Sequence, residues 1–176
     1  MFNKKSLLHK IVHLLIFTLC ILPLVGCNVS EQEAIDSSIQ LFEVALGEDK
    51  KEANAEAEKF SYYLPSTFMV ESEVNNNIVL ENKDQTYILF VNPFESASSE
   101  VVYETTLSFY EKPIANKTLE FNDQFVFLLV EKGPSDNTYE VIVGIGGTKM
   151  TTITEVSTMK QSVQHMLDII KSVRTK

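Results

Sequence analysis

The hydrophobic positions of this chain change rhythm twice. Between residues 11 and 25 they form a run broken only by His13, Thr18 and Pro23. Ile35, Ile39, Phe42 and Leu46 then recur at spacings of four, three and four, which places them along one side of a helix, with Gly47 as a stop. Residues 48–59 are rich in Ala, Glu and Lys without an apolar stripe, the pattern of a solvated helix or a flexible linker.

From Phe60 onward the period is two, in short β-branched and aromatic runs bounded by Asn, Asp, Gly and Pro. Residues 60–64 and 68–73 flank the turn Pro65-Ser66 and predict one hairpin. Residues 77–81 and 85–91 flank Asn82-Lys83-Asp84 and predict another, ended by Asn92-Pro93. The unbroken Phe-Val-Phe-Leu-Leu-Val within 124–131 predicts a central strand covered on both faces. Residues 139–145 alternate around Val141 and Val143, and Gly146-Gly147 joins them to 148–154 as a third hairpin. Residues 100–110 fit two templates. Tyr103, Leu107 and Tyr110 suit a helix, Val101, Tyr103, Thr105, Leu107 and Phe109 suit a strand, and both stay open. Met159, Val163, Met166, Leu167, Ile170 and Val173 form a last helical stripe, with Thr158 and Gln161 at the spacing of a capping box. Lys171, Arg174 and Lys176 follow where cations complement a helix dipole. Together these elements predict an α+β fold: a mainly antiparallel sheet, a C-terminal amphipathic helix and an N-terminal helical neck.

Composition sharpens this picture at the N-terminus. The 176 residues, 44% of them hydrophobic, suffice for one domain with a buried core. A formal charge of -9 argues against a nucleic-acid partner, because phosphate recognition needs a basic face. Lys4, Lys5 and Lys10 precede the first apolar run, which is shorter than the roughly 20 residues of a membrane-spanning helix and has the order of an export signal. That run ends in Leu24-Val25-Gly26-Cys27, which resembles the lipobox of bacterial lipoproteins. The resemblance implies a diacylglyceryl group on the Cys27 thiol, cleavage just before it, and acylation of the new N-terminus, by palmitate for example. It also implies residence on the outer face of the cytoplasmic membrane, held by lipid. The expected organisation is a signal peptide at 1–26, an acidic helical or linker neck at 27–59 and an α+β domain at 60–176. With Cys20 inside the signal and Cys27 blocked, the exported part has no thiol for a disulfide. Without the signal the chain has 12 basic and 24 acidic side chains, and nine of those acids lie in 28–59. Such a concentration predicts a solvated tether, repelled by anionic headgroups.

Beyond residue 60 the order of motifs resembles a second family. Tyr62-Tyr63-Leu64-Pro65, the Ile-Leu-Phe-Val strand at 88–91, a glycine-containing hairpin near the end and the closing Met166-Leu167-Asp168-Ile169-Ile170-Lys171-Ser172-Val173 are similar to PsbP-like and DcrB-like domains. Val143-Gly144-Ile145-Gly146-Gly147-Thr148-Lys149-Met150-Thr151-Thr152 resembles a segment of uncharacterised lipoproteins from Gram-positive, Bacillus-like bacteria. The resemblance covers 60–176 and implies a small sandwich acting as an accessory or assembly factor. It brings no catalytic motif with it.

Candidate chemistry is sparse. His165, the one histidine after the signal, falls opposite the last apolar stripe and is expected to be exposed; no nucleophile elbow accompanies it. One His and no thiol cannot build a typical zinc site, and no calcium-loop motif occurs. Gly144, Gly146 and Gly147 before Lys149 match no phosphate-cradling spacing and read as a hairpin turn. The pairs Glu71/Glu73 and Glu120/Asp123 are the acids nearest to a general acid–base arrangement. Tyr62, Tyr63, Phe94, Phe109 and Tyr110 are candidates for a recognition patch. The expected function is therefore a non-catalytic accessory or protein-binding domain with an envelope protein partner, no cofactor and no metal. Two alternatives are a small-ligand-binding lipoprotein serving a transporter and a carboxylate-only cell-wall hydrolase.

Overall fold

Ser30 starts the first helix. Its hydroxyl accepts from the Glu33 amide at 3.3 Å while the Glu33 carboxylate accepts from the Ser30 amide at 3.0 Å, a reciprocal capping box. The computed structural model describes residues 29–176, and from this cap helix α1 runs over Glu31–Ala45. Two short strands follow, β1 (Ala55–Glu56) and β2 (Phe60–Tyr62), then a meander of β3 (Met69–Val74), β4 (Asn77–Asn82) and β5 (Gln85–Val91). Helix α2 (Val101–Leu107) leads into a second meander, β6 (Ala115–Phe121), β7 (Gln124–Lys132), β8 (Thr138–Ile145) and β9 (Thr148–Glu155). Helix α3 (Met159–Ile170) and strand β10 (Arg174–Thr175) close the chain. Strand β9 returns to pair with β5, so the two meanders fuse into one antiparallel sheet of order β3-β4-β5-β9-β8-β7-β6. Strands β1, β2 and β10 form a separate small sheet. The fold is α+β.

The main core lies between the large sheet and the pair α1/α3. Phe42, Leu89, Leu128, Met150, Val163, Met166 and Leu167 are all fully buried in this one cluster. A polar knot closes one end of it: the Ser162 hydroxyl meets Gln85 Nε2 at 3.0 Å, Tyr87 Oη at 3.3 Å and Thr154 Oγ1 at 3.1 Å, which satisfies a serine that would otherwise be costly to bury.

Several expectations change. The N-terminal helix is not a tether, because Ala34, Ile35, Phe42, Ala45 and Leu46 belong to the main core. The nine acids of 28–59 are exposed, as expected, but three of them pair with lysines further along the chain. The three ion pairs among the described residues are Glu31–Lys132 at 2.8 Å, Glu43–Lys117 at 2.7 Å and Glu56–Lys176 at 2.8 Å, each joining this segment to the later domain. Such exposed pairs contribute roughly 0–1 kcal/mol apiece, so they orient the segment more than they hold it. After α1 the chain runs extended instead of helical. Lys171 donates to the carbonyls of Ala45 and Glu48, capping α1 from α3, and Asn54 bridges to the Leu64 backbone. Residues 60–64 and 68–73 do not pair with each other: β2 joins β1 and β10, and β3 joins β4. The apolar run in β7 is covered on both faces, yet β7 is next to an edge, and β9 is the central strand. Thr158 makes no side-chain cap on α3 because its hydroxyl meets Thr154 instead. Helix α3 ends at Ile170, so Arg174 lies in a strand.

Within residues 100–110 the helical template prevails over Val101–Leu107, and a turn follows. Threonines weaken α2 intrinsically, and Thr106 spends its hydroxyl on the Val102 carbonyl at 2.6 Å. Packing decides the matter: Val102 is buried with Phe127, Leu129 and Ile142, and the Tyr103 ring lies 5.3 Å from both Phe125 and Phe127.

Gly144 lies within β8 directly opposite Phe127, and a Cβ added there would fall 2.1 Å from that ring. Gly144→Ala is therefore expected to push Phe127 out of its place under α2 and to lower stability by about 1–3 kcal/mol. Urea denaturation measures this, with an unchanged midpoint as the contrary result.

Candidate functional site

The two sides of the large sheet are covered unequally. One alternation sends Tyr87, Leu89, Val126, Leu128, Val141, Val143 and Met150 toward α1 and α3. The other sends Ile88, Phe90, Phe127, Ile142, Lys149, Thr151 and Ile153 to a side whose helical cover is α2, 7 residues long. Between α2, β5 and β9 this leaves a groove of about 470 Å³, with Ile88, Phe90, Val101 and Val102 as apolar walls and Asn77, Asn92, Thr105, Thr106, Thr151 and Lys149 as polar ones. Ile88 and Thr151 continue into a broader open trough of about 760 Å³, lined by six threonines, by Ile153 and by the charged Lys83, Asp84, Glu140 and Glu155.

Lys149 gives the groove its charge. In register it stands between Gly144 on β8 and Phe90 on β5. Its Nζ donates to Thr106 Oγ1 at 2.9 Å, and that hydroxyl directs its own proton to the Val102 carbonyl, so α2 presents a lone pair to the ammonium. Lys149 has no carboxylate within ion-pair distance among the described residues. Burial pushes its pKa below the ordinary lysine value, against a smaller opposing pull from Glu140. Glu140 itself sits opposite Glu131 across the β7–β8 pair and accepts a bond from Tyr110 Oη at 2.9 Å. That phenol is held well above its ordinary pKa, first by burial and then by the bond to Glu140.

Exposed apolar side chains occur on α2 and in the segments that flank it. Phe94 precedes α2 and is 88% exposed, Phe109 follows it at 77%, and Val101 on its first turn is 50% exposed. The Gly146-Gly147 turn positions the loop carrying Phe94. Gly146 takes φ +50 and approaches so closely that a Cβ would lie 2.3 Å from the Ser96 carbonyl, while the Asn92 amide donates to the Gly147 carbonyl at 2.8 Å.

The other expected site residues scatter. Cys27 and the expected signal peptide lie outside the described residues. Tyr62 is core, 2% exposed, and Tyr63 is half-buried. His165 is half-buried rather than exposed, edge-on to Phe68 at 5.3 Å, and burial pushes its pKa down. Glu71 and Glu73 lie on the exposed edge strand β3, where Glu73 accepts from the Glu58 amide. Glu120 and Asp123 do meet, with Glu100, at a shallow groove of about 530 Å³. Phe125 is its one apolar wall. Among the described residues no cluster of three His, Cys, Asp or Glu is arranged to hold a metal, and no helix is long and apolar enough to cross a membrane. Sequence reasoning treated Lys149 as a residue beside a turn. Its place in the alternation of 148–154 put it on the Thr151/Ile153 face, but the helix that turns that face into a groove was itself unresolved.

A scan against protein-family models gave no match, and a search of curated proteins returned no relative.

Proposed function

We propose that this chain is a lipid-anchored lipoprotein on the outer face of the cytoplasmic membrane, whose domain is a non-catalytic accessory module that binds a protein of the envelope. The lipobox residues Leu24-Val25-Gly26-Cys27 support the anchor. The observation that carries the binding role is the unequal dressing of the sheet. Helices α1 and α3 cover one side, whereas the other has only the short α2 over the exposed Ile88 and Ile153, with Val101 exposed on α2 and Phe94 and Phe109 exposed in the segments that flank it. Exposed aromatics at the rim of an apolar surface are the side chains that anchor protein contacts. A partner seated there would bury the two phenylalanines and the open flank of α2.

Photocrosslinking in living cells tests this. A photoreactive residue at Phe94 or at Phe109 is expected to give the same discrete adduct. The same residue at Lys160 or Gln161, exposed positions of α3 on the far side, is expected to give none. Absence of adducts at 94 and 109, or equal adducts at all four positions, defeats the reading.

A further inference from the structure

We infer that the groove between α2 and the sheet is a binding site for a small monocarboxylate with a short apolar substituent, whose carboxylate is held by Lys149 Nζ. This goes beyond the protein contact proposed above and does not depend on it: Ile88 and Val101 border both surfaces, but Lys149 lines the groove whereas Phe94 and Phe109 do not. Three observations converge on it. An ammonium has three donors, and Lys149 uses one on Thr106, leaving two that meet no acceptor among the described residues. The lysine is half-buried, so it has given up part of its hydration with no carboxylate in ion-pair contact, Glu140 acting on it only from beyond that distance. A ligand oxygen would restore both. The space beside it has the volume of an ordinary small-molecule site, and Ile88, Phe90, Val101 and Val102 supply the apolar wall.

Charge selects the head group. One ammonium balances one negative charge, so a carboxylate would leave the groove neutral, whereas a phosphate dianion would bring in a charge that nothing in the lining offsets. The surroundings make the cation more telling: beyond the signal the chain has 24 acids against 12 bases, and yet this groove is lined by a lysine and no acid. Asn77 and Asn92 at its edge add amide donors and acceptors that suit a carboxylate's second oxygen.

Hexanoate is the probe, with hexanamide as its neutral counterpart and hexyl phosphate as the dianion. The full chain, labelled with 13C at lysine Cε and held in zwitterionic micelles, is titrated at constant ionic strength. The Lys149 signal is identified by its loss in Lys149→Gln. Hexanoate is expected to move that signal saturably and to bind at least about tenfold more tightly than hexanamide. Lys149→Gln should lose hexanoate binding in ligand-observed spectra, and Lys149→Arg should keep most of it. Equal affinity for acid and amide, equal affinity in Lys149→Gln, or no saturable shift by about 10 mM overturns the site. Tighter binding of hexyl phosphate overturns the carboxylate assignment. Ligand-observed spectra compare acid with amide on the unaltered chain even where Lys149→Gln fails to fold, and Lys149→Arg, which keeps the charge, then supplies the signal assignment.

Discussion

Cys27→Ala is expected to turn a processed, membrane-bound, lipid-labelled protein into an unprocessed precursor without label. The thiol at position 27 is the only nucleophile the lipobox reading offers for the diacylglyceryl group, and alanine removes it while keeping the apolar run intact. On the proposed reading the effect is all-or-none because anchoring would rest on acyl chains: each buried methylene contributes roughly 0.8 kcal/mol, and one chain holds marginally where two hold firmly. Metabolic labelling with an alkyne fatty acid, read beside electrophoretic mobility, measures both consequences. Normal processing and labelling of the variant would remove the anchor from the proposal. The fold adds a geometric corollary. Helix α1 starts at Glu31, and four residues of chain span at most roughly 14 Å, so the folded domain would stand close to its anchor instead of on a long stalk.

What the sequence revealed follows the range over which each signal acts. The stripe Met159, Val163, Met166, Ile170 made α3 legible because periodicity within one helix needs no partner. The Gly146-Gly147 pair made the β8–β9 hairpin legible because a two-residue turn dictates its own register, Ile145 opposite Thr148. Strand β6 escaped notice. Its inward residues Ala115, Lys117, Leu119 and Phe121 alternate with Asn116, Thr118 and Glu120, and one lysine on the inner side breaks the apolar pattern at an edge position. Its hairpin with β7 turns on Asn122 and Asp123, both at positive φ, a type I′ turn written in residues without glycine. Strand β10 and the pairing of β5 with β9 depend on contacts across more than 50 residues, which local pattern does not encode. The groove inherits that difficulty. Lys149 and Thr106 are 43 residues apart, and their meeting depends on α2 being a helix, a choice made by Phe125, Phe127 and Ile142 rather than by the α2 sequence.

The second large effect is expected from removing α1. A chain lacking residues 31–46 should fail to fold cooperatively, although periodicity alone suggested that a domain begins at residue 60. Ile35 is 3% exposed, Phe42 0% and Leu46 7%, and all three belong to the same cluster as Val163, Met166 and Leu167 of α3. Burying each such side chain contributes roughly 1.5–3 kcal/mol, so these three alone supply about 5–9 kcal/mol, comparable with the 5–15 kcal/mol of a whole domain. The deletion also uncovers their partners on α3 and takes away the Ala45 carbonyl, one of the two that satisfy Lys171. Phe42→Ala gives the graded form of the same experiment, with an expected loss of about 3–5 kcal/mol from the side chain and the cavity it leaves. Thermal unfolding by circular dichroism separates the two views. A tether would let the deletion melt like the full chain and leave Phe42→Ala silent, whereas a core helix requires the deletion to lose its transition and Phe42→Ala to melt well below the unaltered protein. Glu43→Ala is the internal control, because its exposed ion pair with Lys117 contributes roughly 0–1 kcal/mol and should barely move the midpoint.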